Sequence, residues 1–175
     1  MNSSEYFESV LSGLETESLP IADKKAGQKS FSECSFQLNI SKTNIKKICT
    51  KYNIDENILF NAAFGIVTAR FSCANESLYV LVDEKTVPVY CKFDENTTVS
   101  DYLTLLQNQI KKSKEYALPF EEIAKKYNIN SDLVLGYEGK GRPPQSLRDS
   151  SPNLRFGELR AYLLHRYLYV VQRLI

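Results

Sequence analysis

A single histidine, His165, narrows what this chain can do. Ser-His-Asp or Cys-His catalysis needs an imidazole beside a nucleophile and a third group to orient it. In the run Leu-Leu-His-Arg-Tyr the ring neighbours Arg166, which disfavours its protonated form. The preceding acid, Glu158, is seven residues back, two helical turns away. The four cysteines, Cys34, Cys49, Cys73 and Cys91, lie at least fifteen residues apart, so no C-x-x-C metal or redox spacing exists. Each sits in an apolar or alternating segment and reads as a reduced, partly buried small hydrophobe. Of seven glycines, Gly136, Gly139 and Gly141 with Lys140 fall short of a phosphate loop, because Gly141 stands where Ser or Thr would meet magnesium. A G-x-G-x-x-G fingerprint is absent.

Other absences exclude whole classes of partner. No apolar run approaches the roughly 20 residues of a membrane span. The opening MNSSEYFESV has neither a basic n-region nor an apolar h-region, which makes the cytoplasm the expected location. The sequons at Asn39, Asn75 and Asn96 carry little weight in that setting. A formal charge of +1 argues against a nucleic-acid partner held by the whole surface. The acidic pairs Asp83-Glu84, Asp94-Glu95 and Glu121-Glu122 fall at turns or helix starts and read as solvated caps, not acid/base dyads. The expectation is no catalytic residue, no metal and no cofactor.

What is present is a core. With 175 residues and 43% apolar content, one domain is the default. Tyr6, Phe7, Val10, Leu11 and Leu14 fall at helical spacing over 3–13, capped by Ser3 or Ser4 and stopped at Gly13. Cys34, Phe36, Leu38 and Ile40 alternate with polar residues as in a strand. Ser41 caps a helix with Ile45, Ile48, Cys49 and Tyr52 inside, and Asp55 opens a second whose run ILFNAAFGIVTARF is apolar on nearly every face. A helix of that kind is expected at the centre of the core. Ser77–Val82 and Thr86–Phe93, joined by Asp83-Glu84-Lys85, suggest an antiparallel hairpin, with Pro88 at an edge or bulge. Ser100 is expected to cap a long helix carrying Tyr102, Leu103, Leu106, Gln109, Ile110 and Ser113 on one side. Pro119 starts a short helix, and Leu133–Tyr137 forms a last strand. The order α-β-α-α-β-β-α-α-β predicts an α/β layered lobe with a mixed sheet.

Composition breaks sharply near residue 141. Residues 1–141 hold fifteen Lys and one Arg, whereas 142–175 hold six Arg and no Lys, and net charge moves from −3 to +4. Residues 140–153 read as a linker and 154–175 as an Arg-rich tail. Phe156, Leu159, Leu163, Tyr167, Val170 and Leu174 would line a basic amphipathic helix facing a membrane surface or a partner helix. The alternative is foreign sequence, from a fusion or a frameshift.

Residues 3–139 carry a resemblance in their ordering. SEYFESVLSGLETESLP, then CSFQLNIS, then IKKICTKYNIDENILFNAAFGIVTARF, then KTVPVYCKFDENTTVSDYLTLLQNQI, then DLVLGYEG resemble successive segments of the C-terminal lobe of nonribosomal peptide synthetase condensation domains. The resemblance implies half of a chloramphenicol-acetyltransferase-like condensation domain, spanning residues 1–139. The family's His-His-x-x-x-Asp-Gly motif, whose second histidine is tied to amide formation, belongs to the other lobe and has no counterpart here. Tyr90 and Lys85 replace the Arg and Asn of Asn-Thr-x-Pro-x-Arg, and the long segment before that strand is reduced to a three-residue turn. So read, the chain is a degenerate, non-catalytic structural or docking lobe of antibiotic or secondary-metabolite biosynthesis. It would precede an adenylation domain, with adenylation and carrier-protein domains as partners. Apolar surface left bare would favour self-association. The alternatives are half of a condensation acyltransferase completed in trans by an N-terminal lobe, and a small α/β binding domain alike only in fold.

Overall fold

The computed structural model describes residues 1–14, 34–35, 40–129, 133–137, 159–163 and 170–172. Its elements are α1 (Ser3–Leu11), β1 (Cys34–Ser35), α2 (Lys42–Tyr52), α3 (Glu56–Phe71), β2 (Glu76–Val82), β3 (Thr86–Lys92), α4 (Val99–Glu115), α5 (Phe120–Tyr127), β4 (Leu133–Tyr137), β5 (Leu159–Leu163) and β6 (Val170–Gln172). The strands form one mixed sheet in the order β1-β6-β5-β4-β2-β3. β2 and β4 run parallel, β2–β3 and β4–β5 antiparallel, and β1 pairs in parallel with β6.

Local chemistry sets the helix ends. Asn2, not Ser3 or Ser4, caps α1, and with Glu5 it closes a reciprocal capping box. Ser41 and Asp55 cap α2 and α3 as expected. Thr98 rather than Ser100 caps α4, its hydroxyl accepting from the Asp101 amide. Pro119 precedes α5, and Gly13 ends the first helix at φ +78.

Strands β2, β3 and β4 are covered on both faces. Tyr79, Leu81, Val87, Val89, Cys91, Leu133 and Leu135 project toward α2, α3 and α4. Leu78, Val80, Val82 and Val134 project the other way, where α1 and α5 bring Phe7, Leu11, Phe120 and Ile123. α4 packs on the edge strand β3, and it also meets α1, where the Tyr6 hydroxyl donates to the Gln109 carbonyl (3.1 Å) and bonds Ser113 Oγ (3.0 Å).

Pro88 does sit on an edge strand. The Phe93 amide donates to Asn75 O, and in the register of this pair the odd-numbered residues of β3 bond to β2 while the even-numbered ones face away. Pro88 therefore removes a donor from the open side, where another chain would otherwise pair.

Three expectations change. α3 is not central: only Ile58, Asn61, Ala62, Gly65, Thr68 and Ala69 are buried, while Ile66, Val67 and Phe71 stay exposed. It covers one sheet face, and nothing among the described residues packs on its back. Ile40 and Ile48 are likewise exposed, not inward-facing. In the Arg-rich tail, Leu159–Leu163 and Val170–Gln172 are strands and not parts of one helix. Leu159, Ala161 and Leu163 alternate with Arg160 and Tyr162, a period of two, and the free side of β4 offers these residues a partner. Phe36, Leu38, Phe156, Leu174 and His165 lie outside the described residues.

Candidate functional site

Among the described residues, the buried Asn61, Thr68, Tyr79 and Asp83 line the seam between α3 and β2, while buried Ser113 lies on α4 against Tyr6. Tyr79 is fully buried, and its hydroxyl donates to both the backbone oxygen (3.1 Å) and Oδ1 (2.8 Å) of Asn61. Asn61 Nδ2 donates to Asn57 O at 2.9 Å and to Asn57 Oδ1 at 2.7 Å. Asn57 Nδ2 in turn reaches Asp83 Oδ2 at 3.4 Å, and Lys114 of α4 forms an ion pair with that same oxygen. The chain of contacts runs from the β2–β3 turn to the middle of the sheet. Desolvation pushes Tyr79 well above its ordinary value, with Cys91 and Tyr102 adding to the effect. A phenol so placed is a hydrogen-bond donor and not a base.

Asp83 departs from the solvated-cap reading. It is only 5% exposed, and its Oδ1 has no partner among the described residues. Less than 1 Å² of that oxygen is accessible, too little for a water or a ligand to reach it. The pair thus locks the turn to α4. Asp94 and the Glu121-Glu122 pair do behave as expected. Asp94 accepts from the Asn96 amide (2.9 Å) and the Thr97 hydroxyl (2.7 Å) in an exposed turn, and the two glutamates open α5.

The cysteines divide by environment. Cys49 and Cys91 are buried, whereas Cys73 is exposed and at φ +53, against the expectation of partial burial. Burial pushes the Cys91 thiol up to about 11, opposed by contacts with Tyr102, Tyr79 and Ser77. Only the thiolate attacks, so burial both holds Cys91 as the unreactive thiol and bars access to it. In a Cys34→Ser background, maleimide at pH 8 should label Cys73 within minutes and leave Cys49 and Cys91 unmodified until denaturant is added. Mass mapping checks this; equal labelling of Cys91 in the native protein would contradict the burial described.

A cavity of about 330 Å³ opens at the start of β2, walled by Leu14, Thr68, Ser72, Glu76, Leu78 and Tyr90. Its polar walls are largely engaged: Tyr90 donates to Glu76 Oε2 (2.6 Å), and Thr68 donates to the carbonyls of Phe64 (2.9 Å) and Gly65 (3.1 Å). Among the described residues no three His, Cys, Asp or Glu side chains could share a metal ion. Gly136 lies inside β4, and Gly139, Lys140 and Gly141 fall outside the described residues.

Sequence reading missed the Asn57–Asn61–Tyr79 line. Its signal was present: Asn61 is the one polar residue between Ile58 and Ile66 in an otherwise apolar run. A buried amide there must find a partner.

No family model matches the chain, and no curated protein does. Solved structures do. A condensation domain from the monacolin K polyketide synthase MokA is similar over 73% of this chain and 36% of its own, at a TM-score of 0.53 and 15% identity. A complex of the X-domain and OxyB from teicoplanin biosynthesis provides a chain similar over 74% of this one and 33% of its own, at 0.56 and 11%. Both have condensation-type folds of the chloramphenicol-acetyltransferase-like kind. No helix among the described residues is long and apolar enough to cross a membrane. At such identity the likeness is one of fold: this chain is an α/β lobe with a mixed sheet, similar in fold to part of a condensation-type domain and spanning about a third of the length of each structure it resembles.

Proposed function

We propose that the chain is a non-catalytic docking lobe of a cytoplasmic synthetase assembly, ahead of an adenylation domain and in contact with adenylation and carrier-protein domains. The observation that carries this reading is the β2–β3 connection. In this condensation-type fold the two strands are joined by a turn of three residues, Asp83–Lys85, locked to α4 through Lys114. A closed turn leaves no segment at that point to reach across to a second lobe. The X-domain's complex with OxyB supports the idea that a condensation-type fold can serve as a binding partner. We take residues 1–139 as the lobe, 140–153 as a linker and 154–175 as an Arg-rich tail of separate origin that contributes strands to the sheet.

The test pairs the full chain with a separate condensation N-terminal lobe and carrier-bound acyl substrates. No amide product above the control without this chain is expected, together with co-elution of the chain with an adenylation–carrier pair on size exclusion. Amide formation would instead establish completion in trans and refute the docking reading.

A further inference from the structure

α2 carries Lys42, Lys46, Lys47 and Lys51, all exposed, and no acidic residue. Lys42/Lys46 and Lys47/Lys51 stand four apart, where like charges destabilise a helix. A merely solvated helix would gain by alternating signs, yet none of the three ion pairs among the described residues involves α2. Lys51 lies 5.0 Å from the Tyr52 ring, its one described aromatic contact. Ile48 is exposed in the midst of these lysines.

α2 packs on α3 in the same helical layer, so residues opposite their buried stripes share an outer surface. On α3 that surface presents Ala63, Ile66, Val67, Arg70 and Phe71. Phe71 is 70% and Val67 53% exposed. The acids of this segment, Asp55 and Glu56, sit at the start of α3, beside the C-terminal end of α2 and about two to four turns from these α3 residues. The layer thus exposes apolar side chains beside cations that have no ion-pair partner among the described residues. Its charge calls for anions and its apolar residues call for a surface with its own hydrophobic stripe.

Resting on the docking reading above, we propose that the outer face of α2 and α3 binds an acidic amphipathic helix of a partner protein. Lysines of α2 would pair with carboxylates flanking the helix, and Ile48, Ile66, Val67 and Phe71 would receive its apolar stripe. Nucleic acid would satisfy the lysines but leave the isoleucines and Phe71 bare.

The probe is a labelled peptide of about three heptads, with Leu at the a and d positions and Glu or Ala elsewhere, titrated with the full chain by fluorescence anisotropy. A control peptide carries Ser for each Leu. Binding is expected to weaken about tenfold for the Ser control, for Lys46→Glu/Lys47→Glu and for Val67→Ser/Phe71→Ser. These positions are exposed, so unchanged thermal midpoints will show that the variants fold. Absence of binding, equal binding by both variants, or equal binding by the Ser control or a DNA duplex would overturn the proposal. Co-elution with the adenylation–carrier pair alongside any of these results would leave the docking reading standing and move the interface elsewhere.

Discussion

Replacing Lys114 by Met should cost about 3 kcal/mol of folding stability, because it strands a buried carboxylate. Asp83 is 5% exposed and cannot turn to water. Both of its described partners, Lys114 and Asn57, meet Oδ2, while Oδ1 meets none. Losing the ammonium leaves one amide hydrogen bond to hold a full charge. Removing the other partner is less severe. In Asp83→Asn the side chain keeps its shape, and Lys114, 28% exposed, can rehydrate; about 1–2 kcal/mol is expected. The double variant should therefore lie near Asp83→Asn, with a coupling of about 3 kcal/mol in the cycle. Urea unfolding followed by circular dichroism measures all four proteins. A Lys114→Met loss below that of Asp83→Asn would mean that the pair does not anchor the turn.

The same pair shows where sequence reading runs out. The hairpin was legible because Ser77–Val82 and Thr86–Phe93 are β-rich and bracket a polar triplet, so local pattern and fold agree. Asp83, inside that triplet, reads as solvated. Its burial depends on Lys114, 31 residues on, and no local pattern announces that meeting. Caps were legible to within a residue or two, as Asn2 and Thr98 illustrate, since several polar residues precede each helix and geometry selects one.

Packing was harder still. ILFNAAFGIVTARF is apolar all round, and composition alone places such a helix at the centre. Which side is covered depends on where neighbours lie, and here they lie on one side only. Ile66, Val67 and Phe71, apolar members of that run, are exposed. The tail erred by period. Leu159, Leu163 and Val170 suit a helical stripe, but a strand with a free neighbour satisfies Leu159–Leu163 as well, and the choice between them is tertiary.

Gly65→Ala should destabilise the lobe by about 2–3 kcal/mol, although alanine is the better helix former by about 1 kcal/mol. A Cβ at Gly65 would overlap Cys91 Sγ and stand 2.8 Å from the Tyr102 hydroxyl and 3.0 Å from Cys91 Cβ. None of these can yield cheaply. Cys91 is 1% exposed on β3, and the Tyr102 hydroxyl is held by the Ala62 carbonyl at 3.2 Å. Nor can α3 retreat freely, because Ser77 donates to the Gly65 carbonyl at 3.0 Å and ties the helix to β2. Three elements, α3, β3 and α4, therefore meet at a point with room for a hydrogen and no more. Cys91→Ala removes the nearest atom but leaves the contacts with its Cβ and with Tyr102, so rescue should be partial. Alone, Cys91→Ala should cost about 1–2 kcal/mol through the cavity it opens. In the Gly65→Ala background that cost should vanish or reverse, a coupling of about 1 kcal/mol or more. Thermal and urea unfolding of the four proteins measure it; additivity would show that α3 relaxes away from β3 and that the close approach at Gly65 does not set its position.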